Sequence, residues 1–346
     1  MNKKYFYIIT FILALCSLSI EVLYSRILSV TTWYHLSFFA VSTALLGTSA
    51  GASFIFLKGK KISPVNEFYL YKNILFFSVT IIISLIILCF IPVNLNGEFI
   101  KYIFLVIVTA GCALPFYFYG IVITLILTKI PLPVGKLYSC DLIGGAIGAV
   151  LVLILLEFFD APSIIIFISA LAAISVVFLS LNKKFIYYAV GLFLIIFSFF
   201  IINSQSSNHI LKPYVVKGKY DNQANHYLDD RWNSISRIVV YPLSSSYPFL
   251  WGPSPKLPRQ NIMQYFMNID GDAGTIIRKY NSPGDIEHLK YDVTNIGFNL
   301  RPEGKSCIIG VGGGKDVHSA LLFNYSHITG IDVNKIFIDY LNNKFR

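Results

Sequence analysis

The residues whose types and spacing could do chemistry lie near the C-terminal end. From residue 306 the run Ser-Cys-Ile-Ile-Gly-Val leads into Gly312, Gly313 and Gly314. The apolar run suits a buried parallel strand. Residues 316–323 have helix character, residues 327–331 read as a second strand, and Asp332 stands at its end. Strand, glycine loop, helix, strand and acid make the opening unit of a doubly wound, nucleotide-binding sheet. Glycines let the backbone turn tightly and approach a ligand where a Cβ would clash, and the following helix offers unpaired N–H groups. An acid at the end of the second strand can accept both ribose hydroxyls. Gly310 and Asp332 are 22 residues apart, near the spacing of about 20 expected of such an acid. The candidate cofactor-binding residues are therefore Gly310, Gly312, Gly313, Gly314, Asp316 and Asp332. Each also has a plainer reading. The glycines can simply close a strand–helix turn, Asp332 can end a strand in solvent, and Asp316 can stabilise a helix N-terminus.

The loop lacks the third glycine of a dinucleotide fingerprint and the Lys-Ser/Thr pair of a phosphate loop. It fits better the loop of S-adenosylmethionine enzymes, whose ligand carries no phosphate. Residues 306–332 resemble motif I and the ribose acid of spermidine synthases and related class I methyltransferases. Residues 267–271 (MNIDG) resemble the LDG hairpin that precedes that motif in spermidine synthases. Residues 21–30 (EVLYSRILSV), 34–51 and 134–148 resemble the membrane regions of polytopic spermidine synthase-like proteins. The resemblance implies a Rossmann-like sheet that binds S-adenosylmethionine or its decarboxylated form. It also implies transfer of a methyl or aminopropyl group to a small-molecule acceptor.

Where that family reads GGGDGG, this chain has Gly312, Gly313, Gly314, Lys315, Asp316 and Val317. The Lys315-Asp316 variant and the membrane fusion favour methyl transfer or an unassigned reaction over spermidine synthesis. The family's aminopropyl-transfer aspartate lies well downstream of motif I, and 14 residues follow Asp332. No catalytic residue is assigned. The chain is expected to be the N-terminal part of a longer protein, completed by a separately encoded or frame-shifted C-terminal segment, and to bind the cofactor weakly or not at all by itself.

The elements around this loop divide into two unlike halves. The whole chain is 55% hydrophobic and 13% charged, with net charge +10, and its mean hydropathy is +0.65. Residues 1–202 hold 18 charged residues and the remaining 144 hold 28. That composition excludes a purely soluble enzyme, a disordered chain and a coiled coil. Residues 1–202 read as a helical transmembrane domain with seven apolar segments, about 5–25, 33–57, 73–93, 101–128, 139–158, 161–181 and 185–202. Each approaches the roughly 20 residues that span a bilayer. Gly47/Gly51 and Gly144/Gly148 form GxxxG pairs suited to close helix packing, and Pro115 is expected to kink the fourth segment. Glu21, Arg26 and Asp141 sit near segment ends, where they read as interfacial anchors ahead of a transport role.

Loop charges bear on orientation. Lys3, Lys4, Lys58, Lys60, Lys61, Lys72, Lys129, Lys136, Lys183 and Lys184 fall on one side, and Arg26 and Lys101 on the other. The positive-inside rule then places the N-terminus in the cytoplasm, in the inner or plasma membrane of the cell. Seven crossings would put the soluble part outside, whereas S-adenosylmethionine is made in the cytosol. A first segment that is interfacial or re-entrant, interrupted by Glu21 and Arg26, would reconcile the two and leave the soluble domain cytoplasmic.

Residues 203–208 read as a linker, residues 209–304 as a β-rich region and residues 305–346 as the start of the sheet. The β-rich region carries strands at 232–241 and 264–269, a proline-rich loop between them, and a hairpin whose turn holds Asp270 and Asp272 as turn formers. Residues 291–300 read as helical. Trp232, Arg237 and Tyr241 are expected to be fold contacts ahead of a polyamine site. No metal site is expected, since the six histidines have no HxxxH spacing and the five cysteines no CxxC pair. No nucleic-acid partner is expected, since no basic run with interleaved aromatics occurs. Two further readings stand beside the transferase: a non-catalytic membrane module with a vestigial nucleoside-binding domain, and a membrane transporter.

Overall fold

The computed structural model describes residues 3–58, 67–93, 99–178, 183–206 and 208–345. The chain forms two compact units, Met1–Ala224 with Trp232–Ser234, and Asn225–Arg231 with Ile235–Arg346.

The first unit holds seven helices long and apolar enough to cross a membrane among the described residues. They are α1 (Lys3–Thr31), α2 (Phe39–Lys58), α3 (Glu67–Phe90), α4 (Ile100–Lys129), α5 (Val134–Leu155), α6 (Ala161–Ile174, extended by a 3-10 turn, Ser175–Phe178) and α7 (Lys183–Gln205). Seven such helices are compatible with a multi-pass membrane protein. In hydrocarbon, backbone N–H and C=O groups must be paired within the segment, which a continuous helix does. That requirement also explains why α1 runs unbroken through Glu21 and Arg26 as far as Thr31, instead of being interrupted there. Pro115 lies inside α4, which is helical on both sides of it. Helix α7 continues through residues 203–205 of the expected linker. Ser207 of that linker, and Lys60 and Lys61 of the loop charges, lie outside the described residues.

Helix pairing follows the GxxxG glycines. A Cβ on Gly144 would lie 2.3 Å from the Phe11 carbonyl oxygen, and one on Gly148 2.4 Å from that of Leu15. On α2, a Cβ on Gly47 or Gly51 would lie 2.2 Å from the Ala113 or Tyr117 carbonyl oxygen of α4. In both pairs the contacts advance in the same direction along each helix. Thus α1 runs parallel to α5 and α2 to α4, as alternate crossings require. Buried hydroxyls add polar links: Ser78 donates to the Ser169 carbonyl at 2.8 Å and Ser169 to that of Ser78 at 2.8 Å. Asp160 caps α6 by accepting the Ser163 N–H at 2.9 Å. A small pair, β1 (Val215–Val216) with β2 (Lys219–Tyr220), follows α7.

The second unit contains strands. Its main sheet comprises residues 229–231 of β3 (Asp229–Trp232), with β4 (Arg237–Val240), β5 (Ser244–Ser246), β6 (Ile262–Ile269) and β7 (Ala273–Ile277), and β6 is central and paired to β4, β5 and β7. The expected strand at 232–241 is thus split, and the proline-rich loop carries the short strand β5. The β6–β7 hairpin turns on Asp270 and Gly271, with φ of 50° and 79°. The Asp270 carboxylate accepts the Arg237 N–H at 2.8 Å, which ties the turn to β4. Arg237, 1% exposed, forms a bidentate pair with Asp230 at 2.9 and 2.6 Å; it is a fold contact. Ile238, Val240, Met267 and Ile277 pack with Ile336, Phe337 and Tyr340 in one apolar core.

Beyond the hairpin lie 3-10 turns at Pro283–Tyr291 and Val293–Asn295, then α8 (Ile296–Leu300). The helix expected over 291–300 is therefore confined to its last five residues. Asp292 interrupts it with extended backbone, and its side chain caps the next turn at the Thr294 N–H. The chain then forms β8 (Gly304–Ile309), α9 (Lys315–Leu322), β9 (Tyr325–Ile331) and α10 (Lys335–Asp339). Strands β8 and β9 pair in parallel, in register from Lys305↔His327 to Ile309↔Ile331.

Candidate functional site

The loop from β8 to α9 turns at three glycines in the left-handed region, Gly310 at φ 81°, Gly312 at 52° and Gly314 at 83°. L-residues with a Cβ are strained there, by roughly 1–2 kcal/mol each. Gly313 is needed for a different reason. A Cβ there would lie 2.2 Å from the Ile276 carbonyl oxygen of β7. The β6–β7 hairpin therefore backs the loop, and the Gly313 N–H donates to the Thr275 hydroxyl at 3.2 Å.

Asp332 lies at this loop. One carboxylate oxygen accepts the Gly312 N–H at 3.0 Å and the other the Asn334 N–H at 2.8 Å. The Gly310 N–H reaches the Ile331 carbonyl at 2.8 Å, fixing the end of β8 beside the end of β9. Gly310, Gly312, Gly313, Gly314 and Asp332 thus form one structure at the carboxyl ends of two parallel strands. Asp316 stands apart from it. Its half-exposed side chain lies in the first turn of α9, and its charged neighbour is Lys315 at 3.9 Å.

Lys315 itself is occupied. Its ammonium lies 2.8 Å from Asp292, whose side chain is fully buried, and it also bonds the Thr294 hydroxyl. Asp292 further accepts the Trp251 and Gly252 N–H groups at 3.2 and 3.3 Å. Burial alone would raise the Asp292 carboxyl, but the Lys315 ammonium and the Thr294 N–H hold it at about 2. Burial lowers Arg278 to about 10 against the pull of Asp292. Burial, and then the Arg278 charge, lower both His288 and His318 to about 4. A cleft of about 490 Å³ opens beside Asp292, bounded by Gly252, Lys256, Val293 and Asn299 and by none of the loop glycines.

Thr275, Asp292 and Asn334 belong to the arrangement although no spacing in the sequence singles them out. Thr275 is an ordinary strand residue until β7 comes to lie under the loop. Asn334, 4% exposed, caps α10 at the Ile336 N–H and donates to Ser236. No family model, curated protein or solved structure matches this chain.

Proposed function

We propose that the second unit begins a Rossmann-like, nucleoside-binding domain of the spermidine synthase and class I methyltransferase kind, carried by a multi-pass membrane protein. The observation that carries this reading is the parallel β8–β9 pair, whose positive-φ glycine loop is pinned at Gly312 to Asp332. The residues fit such a ligand. Nothing lies within 4 Å of the position a Cβ would take on Gly310, so a nucleoside can approach the backbone there. A carboxylate has about four acceptor sites, and Asp332 uses one on each oxygen, leaving one on each for the ribose hydroxyls.

When bound, S-adenosylmethionine or its decarboxylated form supplies a carbon on a sulfonium. Held by the glycine loop and Asp332, it would offer that carbon to an acceptor's electron pair, with the thioether as leaving group and the acceptor's proton passing to a base. The part read for this chain is binding and orientation: the glycine loop sets the nucleoside's depth, and Asp332 fixes its ribose. The test is calorimetric titration of the detergent-solubilised chain with S-adenosylmethionine. Weak saturable binding is expected, reduced at least tenfold by Asp332→Ala, since a hydrogen bond to a charged group is worth roughly 1.5–3 kcal/mol. Binding that survives the substitution places the pocket elsewhere. No saturable binding at millimolar ligand rejects the reading for this chain.

A second reading, a non-catalytic membrane module, is favoured by two observations. The Asp332 carboxylate already holds the loop together without a ligand. Helix α1 is also continuous through Glu21 and Arg26, which supports counting the first segment as one of seven crossings. The loop charges with seven crossings put residues 225–346 outside, whereas a cytosolic nucleoside needs them inside. Labelling of Tyr220→Cys, beyond α7 and exposed, in intact cells decides this point. Protection from an impermeant reagent supports the cytoplasmic placement we favour for the transferase, and labelling supports the outward-facing module.

A further inference from the structure

Glu21 and Asp141 are not terminal anchors. Glu21 lies ten residues before the end of α1, and Asp141 seven residues inside α5. Both line one cavity of about 240 Å³ between α1, α2, α4 and α5. Ser17, Thr48 and Tyr119 supply its remaining polar side chains, and Phe116, Leu18 and Leu142 are among its apolar walls. Ser17 and Glu21 are four residues apart on α1, so they share one helix face.

The polar groups there are unevenly satisfied. The Tyr119 hydroxyl donates to one Asp141 oxygen at 2.5 Å. Glu21 makes no hydrogen bond or ion pair among the described residues. Ser17 is only 8% exposed, lines the cavity, and its hydroxyl meets no partner among the described residues. An unpaired carboxylate within an apolar helix bundle is costly, and such residues mark ion or substrate sites. A buried hydroxyl turned toward the same space is a hydrogen-bonding group left for a guest.

We propose that this cavity is a binding site for a small organic ammonium ion with an apolar body. Two carboxylates select positive charge. The Phe116 face can add a cation–π contact, and the leucine and alanine walls suit hydrocarbon. A bare metal ion would instead need several oxygens converging on one point, and no group of three or more His, Cys, Asp or Glu side chains is placed to hold one among the described residues. The mouth is flanked by Leu45 and Leu142, both more than half exposed. An amphiphilic amine can therefore enter sideways from the lipid.

The proposal is tested on the full chain in a non-ionic detergent, with n-hexylammonium as the probe and n-hexanol as its uncharged counterpart. Titration calorimetry at pH 7 should show saturable binding of hexylammonium and none of hexanol. Glu21→Gln and Asp141→Asn should each weaken hexylammonium at least tenfold, whereas Glu157→Gln, outside the cavity, should leave it unchanged. Ser17→Val, which fills the cavity without removing a charge, should also weaken binding, and thermal unfolding of each variant verifies its fold. Equal binding of hexanol, or binding retained by the Glu21→Gln/Asp141→Asn double variant, would show an apolar groove and overturn the proposal. Displacement of hexylammonium by sodium chloride but not by choline chloride at equal ionic strength would show an inorganic cation site and overturn it too. Absence of saturable binding would leave the carboxylates as proton-binding groups only and would likewise reject the proposal.

Discussion

In the helical unit, Gly144 and Gly148 lie against the Phe11 and Leu15 carbonyls of another helix. In the C-terminal unit, Gly310, Gly312 and Gly314 lie at φ values of 81°, 52° and 83° in a loop. The same residue type answers two different constraints. Between helices it removes a Cβ so that backbones can approach, because lipid offers no hydrophobic drive to hold looser contacts. In the loop it permits a left-handed backbone that other residues avoid. The carboxylates diverge as well. Asp270, Asp292 and Asp332 each accept backbone N–H groups and hold turns in place. Glu21 and Asp141 accept none among the described residues and face a cavity. These three aspartates of the C-terminal unit thus hold its turns, as Asp160 holds the start of α6, whereas Glu21 and Asp141 cap no turn.

The largest effect that would sharpen this contrast is expected at Asp292. Asp292→Asn leaves the Lys315 ammonium without its buried counter-charge, a loss of about 3–5 kcal/mol for a broken buried pair. Hydrogen exchange over residues 306–332 should show the C-terminal unit opening far more readily. Unchanged protection would show that Lys315 finds water or another partner at no cost.

Gly144→Ala and Gly148→Ala come next. Each drives a methyl into a backbone carbonyl, and overpacking costs about 1–3 kcal/mol. Thermal unfolding in detergent should fall for both, while Gly191→Ala, with nothing within 4 Å of the added Cβ, should be silent. Equal behaviour of all three would break the assignment of the first two to close packing.

Acid should act on the C-terminal unit through His288 and His318. Their folded values near 4 lie below the usual 6.5. Between those limits the unfolded chain binds protons that the folded chain refuses, so stability falls as pH drops. It should be fully present above about pH 6.5 and decline toward pH 4. Hydrogen exchange of the C-terminal unit across that range reads the slope, and a His288→Gln/His318→Gln variant should flatten it. A slope unaffected by the double variant would assign acid sensitivity to other groups.

The smallest effect is expected at Gly310→Ala. The added Cβ meets nothing within 4 Å, so the cost is the left-handed backbone alone, roughly 1–2 kcal/mol. Gly313→Ala, against the Ile276 carbonyl, should cost more. The reverse order would mean that contact with β7 is looser than it looks.

The amino-acid sequence by itself determined the helical half, because apolar stretches of bilayer length have helix as their open solution. It also determined the GxxxG pairs, the β6–β7 turn at Asp270-Gly271, and the strand–glycine–helix–strand order that ends at Asp332. These are local signals, set by chain length, side-chain period and the conformations glycine allows. Only the tertiary structure decided which groups are already spent. Asp332 is joined to Gly312, Lys315 to Asp292, and Gly313 to Thr275, across separations of 20, 23 and 38 residues. The break at Asp292, where a helix was expected, likewise depends on where its side chain is needed. The shared cavity of Glu21 and Asp141, 120 residues apart, exists only because α1 and α5 lie side by side. Partnerships at such distances depend on how faces meet in space, and no periodicity along the chain encodes them.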